Sequence, residues 1–203
     1  MLVFDAGTPE APKHDYTFDG VRVPHVTGVI KDLTSYDMVN ANDLEIARQK
    51  GTAVHKMIEL WSKKDLDTDT LPDWMKPCLV QWEQFALDLG LEIRASECRL
   101  FHPIYKYATT LDLAVTARNK KGLGIIEVKR SFCAGVAIGL QTAAQAASWD
   151  ANNHLPNDKI KWRGALKIKE GQAYRFEEHN DKTDWTNFLG CLVHHNLIER
   201  YKK

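Results

Sequence analysis

Apolar and polar positions change their period several times along the chain. Asn42 to about Lys64 repeats at helical spacing, with Leu44, Ala47, Val54, Ile58 and Trp61 near one face. Pro72 opens a second predicted helix, for which Gly90 is the stop signal. After Gly90 the period shortens. EIRASECRLFHP alternates like a strand, and TTLDLAVTA and GLGIIEVKR read as two more, joined through the tight polar turn Asn119-Lys120-Lys121-Gly122. Val136 to Ala151 is Ala-rich and helical. KIKWRGALKIK and QAYRFEEH form a predicted hairpin around Glu170-Gly171. Asp181 or Thr183 then caps a last amphipathic helix to about Tyr201. Upstream, Asp19-Gly20 between two β-rich runs marks a hairpin, Val26 to Leu33 reads as a short helix, and residues 1–14 read as a polar, flexible tail. The order of elements predicts one domain over 1–203. Its class is α/β, a mixed central sheet with helices on both faces.

Against that apolar background, three charged residues stand out. Glu127 and Lys129 are two apart on one strand and so share a face. Asp112 lies seven residues before Asn119, and Glu127 lies five after Gly122. Antiparallel pairing through the turn therefore sets Asp112 almost opposite Glu127, on strands about 5 Å apart. Two carboxylates at that separation suit one hard cation such as Mg²⁺, which keeps waters and takes phosphate oxygens. The Val128 carbonyl is a candidate further ligand. Lys129 would position the attacking water or stabilise charge on a phosphate. The plain alternative is a salt-bridge ladder on a half-exposed sheet, since E-x-K alone is common.

Composition narrows the class without choosing the chemistry. Of 203 residues 44% are apolar and 27% charged, which predicts a folded chain. Lys plus Arg and Asp plus Glu both number 27, so a strongly basic DNA-coating protein is disfavoured, while a local basic channel is not. The N-terminus lacks a basic start, a long apolar run and a cleavage site. No stretch approaches a membrane span. A cytoplasmic location, in a bacterium or a phage-infected cell, is the expectation. Cys78, Cys98, Cys133 and Cys191 form no C-x-x-C pair, and isolated reduced thiols are expected.

Four blocks, in order, carry a resemblance. DGVRVPHVT is similar to a block of the form dG-x-x-x-P-S-V-T. Gly51, Thr52 and His55 in GTAVHKMIEL match G-T-x-x-H. Asp112, Glu127 and Lys129 match an acidic strand pair, and Gln141 in QTAAQAASW matches the start of Q-x-x-x-Y. Together they span Asp19 to about Trp149, some two-thirds of the chain. The pattern resembles the PD-(D/E)XK nuclease superfamily, in the branch similar to the RecB nuclease domain, phage exonucleases and the mitochondrial genome maintenance exonuclease.

The resemblance implies a restriction-endonuclease-like sandwich, a Mg²⁺ or Mn²⁺ cofactor and DNA as partner. His55 becomes a metal ligand beside Asp112, Glu127 and the Val128 carbonyl. Lys129 and Gln141 complete the catalytic set, with Gln141 orienting substrate or water. Glu97 in ASECRL aligns with a further carboxylate of the metal shell, with Glu92 nearby as the alternative. Gly51, one turn before His55, would let its helix approach the sheet closely. Thr27, Arg130 and Gln145 are placed at the substrate. Lys120-Lys121 and Lys159-Lys161-Arg163 are further candidates for phosphate contacts. His25 stands where the pattern has Ser, Thr109 or Thr110 where it has Gly, and Gln145 where it has Tyr. The cysteines of iron–sulfur relatives are absent, so no iron–sulfur cluster is expected.

The implied activity is a metal-dependent exonuclease at linear DNA ends. A structure-selective or restriction-type endonuclease and a non-catalytic DNA-binding subunit on the same fold are the alternatives. The last is disfavoured because Asp112, Glu127 and Lys129 are all present. Some phage relatives form rings around DNA, so the resemblance allows a homo-oligomer or a recombination partner. DNA recombination and repair, in phage or bacteria, are the settings it brings with it.

Overall fold

The computed structural model describes residues 1–7, 12–34, 40–130, 135–153 and 158–202, with the backbone alone at 12–14. Its strands fall into two sheets. The smaller one holds β1 (Leu2–Gly7), β2 (Pro12–Phe18) and β3 (Val21–Val23) in that order, all antiparallel. Asp19 and Gly20 both take positive φ, 49° and 78°, and close the expected hairpin between β2 and β3. The polar tail expected over 1–14 is not what Leu2–Gly7 forms. Val3 pairs with Thr17 and Phe4 with Tyr16, and the Phe4 and Tyr16 rings lie 4.8 Å apart. Two aromatic residues outweigh the polar neighbours that suggested a tail.

Short helix α1 (Val26–Val29) follows, its first turn capped by His25 Nδ1, which accepts from the Gly28 amide at 3.1 Å. A single 3₁₀ turn at Lys31–Leu33 ends the stretch expected as one short helix. Long helix α2 (Ala41–Ser62) buries Val54, Met57 and Ile58. Leu44, expected on the apolar face, is exposed, because the first turns of α2 project beyond the sheet core. Helix α3 (Lys76–Leu89) starts later than expected. Pro77, not Pro72, occupies the first turn, where a missing N–H costs nothing. Gly90 ends it in the left-handed region at φ 56°.

The larger sheet runs β4 (Leu91–His102), β5 (Tyr107–Ala117), β6 (Leu123–Lys129), β7 (Ile160–Lys167), β8 (Arg175–Glu178). All neighbours are antiparallel except β6 and β7, which are parallel and joined through α4 (Gly135–Asn152). Helix α5 (Asp184–Tyr201) closes the chain and packs on α4. The sheet is mixed and flanked by helices. Leu113, Val115, Ile126 and Val128 meet α2 and α3 in one core. Ala114 and Ile125 meet Ala146 and Trp149 of α4 in another. Gly124 lies under the Trp162 ring, where any Cβ would clash.

Arg163, a sequence candidate for phosphate, is instead built into this layer. Its guanidinium donates to Gly139 O at 2.7 Å and to Asp184 Oδ2 at 3.0 Å, tying β7 to α4 and α5. Lys120 is paired with Glu178. Cys78, Cys98 and Cys191 are free thiols, and Cys133 lies outside the described residues. No described helix is long and apolar enough to cross a membrane.

Candidate metal centre

The turn between β5 and β6 does what the residue count requires. Leu113 pairs with Ile126, so the next positions along, Asp112 and Glu127, come side by side at the end of the ladder. Both are buried, at 7% and 2% exposure. Asp112 Oδ2 accepts from the Val128 amide at 2.7 Å, leaving Oδ1 turned toward α2. There His55 donates from Nε2 to the Val128 carbonyl at 3.0 Å. A carbonyl only accepts, so the Nε2 proton is fixed and Nδ1 faces the carboxylates. The Val128 carbonyl, expected as a ligand, therefore contributes by holding the imidazole.

Nδ1 of His55 lies 3.5 Å from both Asp112 Oδ1 and Glu97 Oε1. These three side chains offer ligand atoms that all fall within 4.8 Å of one another. Glu97 reaches the cluster through an unusual backbone. It sits in mid-strand at φ 49°, where a non-glycine residue is strained, and the alternating burial of β4 breaks there. Such strain persists only where the surroundings enforce it, and it gathers at functional sites.

Electrostatics follow the geometry. Burial works against a charged His55, but the Asp112 charge and the hydrogen bonds to Asp112 and Glu97 outweigh it. They hold the imidazole well above its usual range. Burial also opposes ionisation of Asp112, yet His55, Lys129 and the Val128 amide together keep its carboxyl low. Glu127 goes the other way. Burial and the Asp112 charge push it up, against the pull of Lys129 and Gln145. An imidazole and two carboxylates in mutual reach fit a divalent cation that accepts mixed N and O donors.

Glu127 is arranged differently from the expectation of a ligand. Its Oε1 accepts from Lys129 Nζ and Gln141 Nε2, each at 2.7 Å, and Oε2 accepts from Gln145 Nε2 at 2.8 Å. It faces the same cleft but is held by three donors, while Glu97 takes the place beside His55 and Asp112. Gln145, expected at the substrate, is fully buried, also donates to Thr110 O at 3.1 Å and lies outside the cleft lining, so its amide holds Glu127 from behind. Arg130 turns away too. Its guanidinium pairs with Glu170 and lies over the Trp74 ring, outside the cleft lining.

The cleft has a volume of about 680 Å³, with Thr27, Glu127, Lys129 and Gln141 in its walls. One face of α2 supplies much of the rest. Arg48, Gly51, Thr52, His55, Lys56 and Glu59 recur at spacings of three and four. Gly51 does not serve close packing as expected: a Cβ there meets nothing within 4 Å. The opposite wall holds Arg99, whose guanidinium lies 4.9 Å from the Phe4 ring of β1. Arg48, Lys56, Arg99 and Phe4 were missed in the sequence. The helical spacing of Arg48 and Lys56 around His55 was the available signal.

No family profile and no curated protein sequence matches the chain. Among solved structures it is similar to LHK-Exo in complex with dAMP, at 14% identity and a TM-score of 0.33, over 89% of this chain and 92% of that one. A second structure, an alkaline exonuclease (LHK-Exo) from Laribacter hongkongensis, gives 12% identity and a TM-score of 0.32, over 88% and 91%.

Proposed function

We propose that this protein is a divalent-metal-dependent nuclease that hydrolyses phosphodiester bonds at linear DNA ends. The observation that carries the reading is the meeting of His55, Glu97 and Asp112 beside a lysine anchored on a buried carboxylate. His55 Nδ1, Glu97 and Asp112 would hold the ion, Mg²⁺ or Mn²⁺. When bound, the ion supplies a Lewis acid at the phosphate and lowers the pKa of a coordinated water.

The chain's own residues do the remaining work. The Val128 amide orients Asp112 and its carbonyl orients His55. Lys129, held at Glu127, presents an ammonium to the phosphate and stabilises the negative charge that grows there during attack. Gln141 and Gln145 fix Glu127, and hence the reach of Lys129. Arg99 at the mouth offsets part of the acidic floor for a polyanion, while Arg48 and Lys56 beside it are paired with Glu45 and Glu59. The direct test uses end-labelled linear and closed circular DNA with Mn²⁺, Mg²⁺ or EDTA. Shortening from the ends in metal, with circles intact, is the expected result. Cleavage that survives EDTA, or full activity in Lys129→Ala, would sink the mechanism. Cutting of circles would replace the exonuclease by an endonuclease.

A further inference from the structure

The metal cleft adjoins another. His25 lines both it and a second open cleft of about 870 Å³, walled by the β2–β3 hairpin, α1, the β4–β5 turn and the last turns of α5. Aromatic rings are gathered in its wall. Phe18 and Phe101 stack with centroids 3.9 Å apart, and Tyr105 beside them is 40% exposed. Arg22, Lys31, Lys106 and Arg200 bring four cations to the same lining, against one acid, Glu199. Arg22 is held by Asp15 at 2.6 Å. Lys31, Lys106 and Arg200 have no ion-pair partner among the described residues. Lys106 Nζ lies instead 5.7 Å from the Phe101 ring.

Like charges collected without partners repel one another unless a polyanion neutralises them. Cations interleaved with an exposed aromatic ring form the combination that holds single-stranded nucleic acid, in which phosphates meet the charges and bases stack on the rings. An acidic peptide would use the charges but leave the rings idle. We propose that this second cleft binds the single strand that continues from the metal cleft past His25. The inference rests on the nuclease reading, and it adds a track that lengthens the substrate the site can grip.

Binding of fluorescein-labelled single-stranded oligonucleotides of graded length, in EDTA so that none is cleaved, tests it. Anisotropy is read for the wild type, for the double variant Lys106→Glu/Arg200→Glu and for Lys31→Glu, on a different wall. Wild-type affinity should rise with length. Both variants should lose that rise, about tenfold for the double variant. Its salt slope should fall by about 0.7 for each phosphate contact removed. Variants that keep both the length dependence and the salt slope overturn the proposal. So does a wild type that shows no gain with length, or one that binds poly-glutamate while ignoring oligonucleotides. Mn²⁺-dependent cleavage of a dinucleotide by the wild type separately tests the nuclease reading, so the two failures are distinguishable.

Discussion

Gln141 and Gln145, one turn apart on α4, donate to opposite oxygens of the same buried carboxylate, Glu127. The orientation of Gln145 is forced, because both its contacts, Glu127 Oε2 and Thr110 O, are acceptors. Its own Oε1 is left buried without a partner. An orphaned buried acceptor costs about 1–3 kcal/mol. The sequence thus tolerates a local loss to keep Glu127 pinned. Gln145→Met removes the donor on Oε2 and should lower activity at least about tenfold by letting Lys129 wander. Unfolding in urea should show a loss of about 1–3 kcal/mol, since Glu127 Oε2 and Thr110 O both lose their donor while only one orphaned acceptor, Gln145 Oε1, is removed. Unchanged cleavage kinetics in this variant would show that Glu127 needs no second anchor.

An imidazole in the donor set sets a metal preference. Mg²⁺ favours oxygen ligands, whereas Mn²⁺ also accepts imidazole nitrogen. Isothermal titration should find Mn²⁺ bound more tightly than Mg²⁺, by about tenfold or more. In His55→Asn the gap should narrow, as an amide oxygen replaces the ring nitrogen. An equal gap in the variant would mean that His55 stays outside the coordination sphere.

Gly51 faces open space within a helix, so a methyl group there meets no obstacle. Gly51→Ala should raise stability by about 0.5–1 kcal/mol through lower backbone entropy in the unfolded chain. Chemical denaturation reads that gain directly. A loss of stability would mean that the helix and the sheet approach more closely in solution.

Glu170 receives Arg130 and Lys50 together, far along the chain from both. Burial works to raise its pKa, but the two cations outweigh it and bring it down to about 2 from 4.5. A carboxylate depressed on folding contributes stability fully above its unfolded pKa and loses it as pH falls through the folded one. Between about pH 4.5 and 2 the wild type should therefore lose more stability than Glu170→Gln. Melting curves over that window decide it, and parallel profiles would assign the acid sensitivity elsewhere.

How much of this was legible depends on the range of the interaction. The Asp112–Glu127 pairing could be counted from the turn, because register across a tight hairpin is a local matter. His55 was marked only through the resemblance that Gly51, Thr52 and His55 carry together; a histidine on an amphipathic helix does not stand out by itself. Glu97 was harder to read. Its place beside His55 depends on a left-handed backbone in mid-strand, which no alternation pattern announces. Arg130 looked like a phosphate contact beside Lys129. Its partner Glu170 arrives from forty residues away, and only the folded chain pairs them. The first strand was hidden for the same reason: β1 exists by pairing with β2, not by its own propensity.

Val128 is the least conspicuous member of the centre. Its side chain belongs to the core between the sheet and the helices α2 and α3, while its peptide amide and carbonyl steer Asp112 and His55. The identity of that side chain is thus almost irrelevant to the chemistry, provided it is apolar and fits. Proline alone would strip away the amide. An arrangement anchored on main-chain atoms leaves no signature in residue type at the anchoring position. Replacing that valine by isoleucine or leucine changes neither main-chain anchor.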